Sequence, residues 1–171
     1  MEKTMKERTA KNVHMAWTGE AKAHQRLLAF ARKAEEEELP QIAKLFRAVA
    51  ASQGVHAGRH FKLLEAVSDT QSNLERAFQM EKTVNGVYYP QMIVEAEEDE
   101  EKAAALVFSQ ARDVEGEHVK LYKKALESMM SDEEETNDYW LCTICGHLHN
   151  GKPSERCPVC NAPPEKFIEI D

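Results

Sequence analysis

The chain has 171 residues, of which 42% are hydrophobic and 30% are charged, and its formal net charge is −8 at pH 7. This length suffices for one domain of ordinary size and a small appendage, and the composition is that of a folded protein. The negative charge argues against nucleic acid and anionic membrane surfaces as partners, because both attract basic patches.

Targeting signals are also missing from the sequence pattern. The first twenty residues mix charges with single apolar positions, and nowhere do eighteen apolar residues run together. We therefore expect no signal peptide, no membrane-spanning helix and a cytoplasmic location.

Residues 8–128 contain few helix breakers, and their apolar residues recur at steps of three and four. This is the helical period, and it divides into four stripes, of which the second begins Ile42, Phe46, Val49 and the third runs Leu74, Ala77, Glu81, Val84, Tyr88. Pro40 suits the start of the second helix, and Pro90 is expected to end or kink the third. Four long helical segments without strand signals predict a mainly α fold, with a four-helix bundle over residues 1–128.

The composition changes after the bundle. Residues 129–139 (MMSDEEETNDY) are acidic and have no period, so we expect a linker there. Residues 140–171 are richer in Cys, Gly and Pro and contain short stretches of β type. This change predicts a second, small domain.

All four cysteines of the chain lie in the small domain, as two C-x-x-C pairs separated by eleven residues: Cys142, Cys145, Cys157 and Cys160. A secreted disulfide scaffold would spread its cysteines over the fold, whereas two tight pairs in a short tail are typical of a metal site. Four thiolates at the corners of a tetrahedron suit both iron and zinc. Two disulfides and a purely structural zinc ribbon are the alternatives.

The residues around the cysteine pairs favour the metal site. Gly146 and Asn161 follow the two pairs, and both residue types tolerate the positive φ that turns backbone N–H groups toward the sulfurs. Trp140 and Phe167 are the main apolar side chains of a segment too short to fold on its own core. Metal binding would therefore have to supply the missing free energy of folding.

Polar residues interrupt the apolar stripes of the bundle at matching places. Glu20 precedes His56 by 36 residues, and Glu81 precedes His118 by 37. Each half of the bundle therefore consists of a helix with an inward Glu followed by a helix with an inward His. Burying such groups without a cation is expensive, so the repeat indicates a site between the helices.

The fourth helix adds a motif, Glu115-Gly-Glu-His118, whose first and last side chains lie on one face. Ferritin-like di-iron bundles take a single Glu from each of two helices and Glu-x-x-His from the other two. In the second helix the corresponding segment is Gln53-Gly-Val-His56, so Gln replaces the Glu. The predicted bundle ligands are Glu20, His56, Glu81, Glu115 and His118.

Two further histidines, His24 and His60, lie one turn from Glu20 and His56. Neither occupies a place in the Glu-x-x-His pattern, so we expect packing groups rather than ligands.

With these motifs the whole chain resembles the rubrerythrin family, in which a ferritin-like bundle precedes a rubredoxin-like domain. The segments Thr18-Gly-Glu-Ala, Val55-His-Ala, Tyr88-Tyr-Pro and Glu117-His follow the family's order. The resemblance implies a non-haem di-iron site that reduces hydrogen peroxide to water. It implies electrons from a nicotinamide-dependent reductase or a rubredoxin, and a homodimer in which the rubredoxin iron faces the di-iron site across the subunits.

The chain departs from the family pattern at two positions. Gln53 stands where the family has a bridging carboxylate, and Val84 stands where the third helix has a second Glu. In the family that Glu and the His at the position of His56 exchange on one iron, and with Val84 the exchange has no second partner. Hard cations prefer anionic oxygen, so we expect the bundle to hold one metal well and a second weakly or not at all.

By this resemblance we expect an iron-dependent oxidoreductase that consumes peroxide. One iron is expected at the four cysteines and one or two in the bundle, with zinc possible at either site. In the bundle, Glu81 and His118 are expected to hold one iron and Glu20 and His56 the other, with Glu115 bridging. The alternative is a rubredoxin-type electron carrier whose bundle is a dimerisation scaffold with a degenerate or single-metal site. Iron storage is a weaker interpretation, because the sequence shows no sign of a cage.

Overall fold

The computed structural model describes residues 5–131 and 137–171. The chain divides into two compact units, Met1–Ser68 and Asp69–Asp171. The first unit is a hairpin of two long helices, and the second contains three helices and a three-stranded sheet. The predicted fold class, mainly helical with a small C-terminal metal-binding domain, is confirmed.

The first unit consists of α1 (Glu7–Glu36) and α2 (Pro40–Leu63). Pro40 occupies the first turn of α2, as expected for a residue that lacks the N–H a helix start leaves unpaired. Glu38 adopts a left-handed conformation with φ 58°. The N–H of Leu39 then bonds back to the carbonyl of Ala34 at 2.8 Å, which closes α1.

Small side chains join the two helices of the hairpin. Ala43, Ala50 and Ala57 are buried and follow one another at intervals of seven residues. Because alanine is small, α1 and α2 can approach closely along this stripe. Of the larger apolar residues in the predicted α2 stripe, Phe46 contacts Phe30 of α1 with 5.7 Å between the ring centroids, whereas Ile42 remains 44% exposed in the single chain.

The helices of the second unit are α3 (Thr70–Thr83), α4 (Tyr89–Glu98) and α5 (Lys102–Ser131). Asp69 caps α3 by accepting a hydrogen bond from the N–H of Ser72 at 2.9 Å. A π-helical turn, Val84–Tyr88, joins α3 to α4 without a break. The helix therefore does not end at Pro90, because the wider turn interrupts the ordinary hydrogen-bond ladder just before the proline ring.

The small sheet lies at the C-terminal end of the second unit. Its strands are β1 (Tyr139–Cys142), β2 (Leu148–Asn150) and β3 (Phe167–Glu169), in the order β2-β1-β3 with both pairings antiparallel. Phe167 is buried with Ala162 and two of the cysteines, and Trp140 packs against them. The predicted linker over residues 129–139 overlaps the last residues of α5 and the start of β1, and residues 132–136 of it lie outside the described part of the chain.

Candidate metal centres

The four cysteines of the small domain form a tetrahedral cluster, here called the tetracysteine site. The Sγ atoms of Cys142 and Cys160 are 3.7 Å apart, and those of Cys145 and Cys157 are 3.6 Å apart. A disulfide bond would bring two sulfurs to about 2.0 Å. Four sulfurs at about 2.3 Å from a central metal would be separated by about 3.8 Å, close to the observed spacing. The cysteines are unpaired thiols arranged for a metal ion, which excludes the disulfide alternative.

Backbone geometry turns N–H groups toward these sulfurs, as the sequence predicts. Gly146 has φ 84° and Asn161 has φ 62°. The residue after each of them then donates its N–H to a sulfur, His147 to Cys145 and Ala162 to Cys160. Such hydrogen bonds stabilise thiolate and tune the potential of a bound metal.

Burial and these hydrogen bonds act in opposite directions on the thiols. Burial raises the pKa of Cys145 and of Cys160. Burial also acts to raise the pKa of Cys142, but hydrogen bonds from the N–H groups of Cys145 and Ile144 lower it overall. Because only the thiolate binds a metal, loading the tetracysteine site must release protons.

A second group of potential ligands joins α3 to α5. The ligand atoms of Glu81, Glu115 and His118, here called the Glu–His cluster, all lie within 4.8 Å of one another. His118 Nδ1 is 2.9 Å from Glu115 Oε2, and the carboxyl groups of Glu81 and Glu115 hydrogen-bond to each other. His118 Nε2 is buried and has no hydrogen-bond partner among the described residues. Two adjacent carboxylates and an imidazole fit a divalent cation, which would relieve their mutual repulsion.

The π-helical turn sets the position of Glu81 opposite α5. Asn85, in that turn, donates a hydrogen bond from its side-chain amide to the carbonyl of Arg112 at 2.6 Å. Gly116 makes room for this contact, since a Cβ there would lie 3.2 Å from the Asn85 amide nitrogen. Val84 is the first residue of the π-helical turn, so its backbone helps to form the turn although its side chain cannot bind a metal.

Tyr89 is a member of this site that the sequence pattern missed. Burial raises the pKa of Tyr89, and so do the negative charges of Glu115 and Glu81. The predicted stripe includes Tyr88 instead, seven residues after Glu81, but Tyr88 is 52% exposed. The π-helical turn inserts one extra residue, so the face that would carry Tyr88 in a regular helix carries Tyr89. The prediction that Tyr88 belongs to the inward stripe was therefore wrong.

In the first unit, Glu20 and His56 form a pair rather than a cluster. His56 Nδ1 lies 3.6 Å from Glu20 Oε1. The side-chain oxygen of Gln53 is buried without a hydrogen-bond partner among the described residues. This unit therefore offers one carboxylate, one imidazole and one neutral amide oxygen, which is a weaker donor set for a hard cation than the Glu–His cluster.

The two additional histidines of the first unit have different surroundings. His24 Nδ1 donates to the carbonyl of Ala50 at 2.7 Å, and its ring covers Gly54, where a Cβ would lie 3.3 Å away. His24 is thus a packing group, as the sequence predicts. His60 lines a cavity of about 910 Å³ together with His56.

Comparison with known proteins identifies the family. Residues 11–126 match the family described as rubrerythrin, and residues 140–168 match the rubredoxin-like domain of rubrerythrin. The chain belongs to the rubrerythrin family. The resemblance stated from the sequence is therefore confirmed over both the helical part and the cysteine domain.

Individual members of the rubrerythrin family are similar over nearly the whole chain. Nigerythrin of Nitratidesulfovibrio vulgaris is 32% identical over 176 residues, which cover 93% of this chain and 85% of that protein. The rubrerythrin of Porphyromonas gingivalis is 32% identical over 187 residues, covering 99% and 93%. A solved structure of nigerythrin in a partially reduced state covers 99% of this chain and 89% of that one, with a TM-score of 0.57 and 29% identity.

None of the described helices combines the length and the apolar composition that crossing a membrane requires.

The raised pKa of Glu81 leads to a prediction about stability. Burial, a hydrogen bond that the protonated Glu81 carboxyl donates to Glu115, and the negative charge of Glu115 raise the pKa of Glu81 from 4.5 to about 7. The proton that Glu81 binds in the folded state therefore contributes to the free energy of unfolding of the metal-free protein. This contribution is complete below about pH 4.5 and is lost as the pH rises through about 7. We expect thermal melts of chelator-treated protein, followed by helical circular dichroism, to show a lower melting temperature near pH 8 than near pH 5.5.

The matched control is Glu81→Gln, which is neutral at every pH. This variant should show a clearly smaller difference between the two pH values. An equal difference in the variant and in the original chain would assign the effect to other groups.

Proposed function

We propose that the chain is a non-haem iron peroxidase of the rubrerythrin type, which reduces hydrogen peroxide to water. The observation that carries this proposal is the convergence of Glu81, Glu115 and His118 in the same compact unit as the tetracysteine site. A chain that only carried electrons would need the four cysteines and would have no use for two adjacent carboxylates, which are costly to bury.

The chemistry follows from the donor sets. Iron bound by these residues would supply the two electrons that, with two protons, convert one hydrogen peroxide into two waters. Glu81, Glu115 and His118 would hold it in the second unit, and the four thiolates would hold the electron-transfer iron. The hydroxyl of Tyr89 carries its proton near neutral pH, as in an ordinary tyrosine, and burial with the charges of Glu115 and Glu81 raises its pKa further.

The proposal includes partners that the family suggests. Electrons would come from a reductase or a rubredoxin in the cytoplasm, and the protein would be a homodimer. The relative called nigerythrin has been solved in a state described as all ferrous, which supports iron as the metal here.

The alternative function, a rubredoxin-type electron carrier, is favoured by one observation. The first unit contributes only the pair Glu20 and His56, with Gln53 where the family has a carboxylate. If the bundle held no redox metal, the tetracysteine site alone would define the protein, and the helices would serve as a dimerisation scaffold.

Metal content and peroxide kinetics together distinguish the two functions. Protein produced with iron and purified without oxygen should contain one iron at the tetracysteine site and at least one in the bundle. After reduction, the tetracysteine iron should be re-oxidised rapidly when peroxide is added. One iron per chain with slow re-oxidation would establish the carrier.

Restoring the missing carboxylates should increase the metal content of the bundle. We expect the double variant Gln53→Glu, Val84→Glu to bind about one more iron per chain than the original sequence, because two added carboxylates provide the charge a second hard cation needs. Metal analysis of the full-length chain after removal of loosely bound ions measures the difference. Gln41→Glu, an exposed position at the start of α2, is the matched control and should add no metal. Two tightly bound bundle irons in the original chain would contradict the prediction.

A further inference from the structure

Asn85 joins the π-helical turn to α5 through its side chain. The residue is half-buried, and its amide donates a hydrogen bond to the backbone carbonyl of Arg112 at 2.6 Å. That carbonyl lies inside α5, where the regular helical ladder already uses it as the acceptor for the N–H four residues later. Because a carbonyl oxygen has two lone pairs, it can accept both bonds. The Asn85 amide therefore fastens the turn to the middle of α5 without breaking that helix.

Gly116 of α5 is independent evidence for the importance of this contact. Glycine is less favourable than alanine inside a helix, so a glycine there calls for a local reason. A Cβ at Gly116 would lie 3.2 Å from the amide nitrogen of Asn85 and 3.8 Å from its Cγ. Both atoms belong to Asn85, so the glycine of one helix fits the asparagine of the other.

The contact lies at the level of the Glu–His cluster. Asn85 follows Glu81 by four residues, and Gly116 directly follows Glu115. Ligand atoms that share one metal ion at about 2 Å each must lie within about 4 Å of one another. The ligand atoms of the cluster lie within 4.8 Å, so a small closure brings them onto a metal ion. A further separation of α3 from α5 by about 1 Å would prevent this closure.

We infer that Asn85 is a positioning residue, which with Gly116 holds α3 at the distance from α5 at which the Glu–His cluster can bind a metal ion. This inference rests on the proposed function, because the ion at this cluster is the one that would react with peroxide. Val84 stands where the family resemblance implies a second Glu, so the cluster has few carboxylates for its ion. The spacing of the carboxylates that remain then determines the affinity.

Binding of Mn²⁺ measures this role without any catalytic turnover. Mn²⁺ suits carboxylate ligands, whereas the four thiolates retain zinc, so zinc-loaded full-length protein should take up Mn²⁺ in the bundle only. Loss of binding in Glu115→Ala identifies the cluster as the site. Asn85→Ala should raise the Kd for Mn²⁺ by roughly tenfold, the lower end of what groups outside the direct ligands contribute to metal affinity. Electron paramagnetic resonance gives the Kd from the free ion and should show an altered spectrum of the bound ion.

Gly116→Ala tests the same contact from α5. The added methyl group should displace the Asn85 amide and raise the Kd for Mn²⁺, although alanine is the better helix former. In a chain that already carries Asn85→Ala, the substitution should cause no further loss, because no amide remains to be displaced. Gly86→Ala is the matched control, since a Cβ at Gly86 would meet nothing within 4 Å. Gln91→Ala is the control for Asn85→Ala, because the Gln91 amide bonds to Glu95 of its own helix.

The outcomes separate positioning from a purely structural role. A structural role alone would lower the melting temperature of the metal-free protein and leave the Kd for Mn²⁺ unchanged. The inference is overturned by unchanged Kd values in both single variants, by an equal effect of Gly116→Ala in both backgrounds, or by an original chain that binds no Mn²⁺ at the cluster. Failure of the proposed function is a different result, namely slow re-oxidation of the tetracysteine iron by peroxide in an original chain that binds Mn²⁺ as described.

Discussion

Replacing Glu115 with alanine is expected to abolish the rapid re-oxidation of the tetracysteine iron by peroxide. Glu115 is the central member of the Glu–His cluster, hydrogen-bonded to Glu81 and 2.9 Å from His118 Nδ1. Its removal leaves one carboxylate and one imidazole, which are too few ligands to hold iron tightly. The re-oxidation rate should fall by a factor on the order of 100 or more, because the variant loses the bound metal itself and not only a group near the metal.

The same variant should keep the colour and the stoichiometry of the tetracysteine iron. None of the four cysteines depends on Glu115, so the absorption of the thiolate-bound iron should be unchanged. Stopped-flow absorbance of the reduced protein mixed with peroxide gives the rate and the colour in one experiment. Glu127→Ala is the matched control on the same helix, because Glu127 is 64% exposed and its interaction with Lys123 is a surface ion pair. A rate unchanged by Glu115→Ala would favour the carrier function.

The stability of the Glu115 variant provides a second, independent readout. In the absence of metal, Glu81 and Glu115 repel each other once both are ionised. Removing Glu115 should therefore not destabilise chelator-treated protein near pH 8, although it removes a partly buried side chain. A large loss of stability there would mean that Glu115 has a structural role beyond holding the metal.

Replacing Cys157 with serine is expected to remove the metal from the tetracysteine site and to unfold the small sheet. The buried core of this domain consists of little more than Cys142, Cys157, Ala162 and Phe167. Such a core cannot offset the entropy of ordering some thirty residues. Structural zinc sites contribute roughly 10–16 kcal/mol to folding in small domains, so loss of the metal decides whether the sheet exists.

The helices should survive this substitution. Circular dichroism should retain the helical signal, while the amide resonances of β1, β2 and β3 lose the dispersion of a folded sheet. Ile144→Ser is the matched control in the same part of the chain, since Ile144 lies between two ligands but is 60% exposed. A sheet that persists without metal would show that Phe167 and Trp140 suffice as a core, against the prediction.

The tetracysteine site could be predicted almost completely from the sequence because its geometry is local. Each C-x-x-C pair closes a turn in which the N–H of Gly146 or Asn161 bonds to the carbonyl of the first cysteine at 2.9 Å. The residue types at these two positions allow the positive φ that the turn needs. The pairing of Glu115 with His118 is local in the same sense, since three residues along a helix bring both side chains onto one face.

Other parts of the site depend on a single inserted residue. The period of an α-helix assigns Tyr88 to the face of Glu81, and the π-helical turn Val84–Tyr88 gives that place to Tyr89. Nothing in the apolar pattern marks the turn, because π-helical turns form where contacts with a neighbouring element outweigh the loss of regular hydrogen bonds. Here that contact is the hydrogen bond from Asn85 to α5.

The sequence by itself determined the family, the helical and cysteine-containing parts, and the residue types at both metal centres, since spacing and periodicity act over a few residues. Only the tertiary structure decided that a line of buried alanines joins α1 to α2 beside the ring contacts Phe30–Phe46 and Trp17–Phe61. It also decided that the charges of Glu115 and Glu81 act on Tyr89 and not on the exposed Tyr88. These contacts join residues that are far apart along the chain or displaced by one register step, and their free energy comes from close approach of whole elements, which no local pattern encodes.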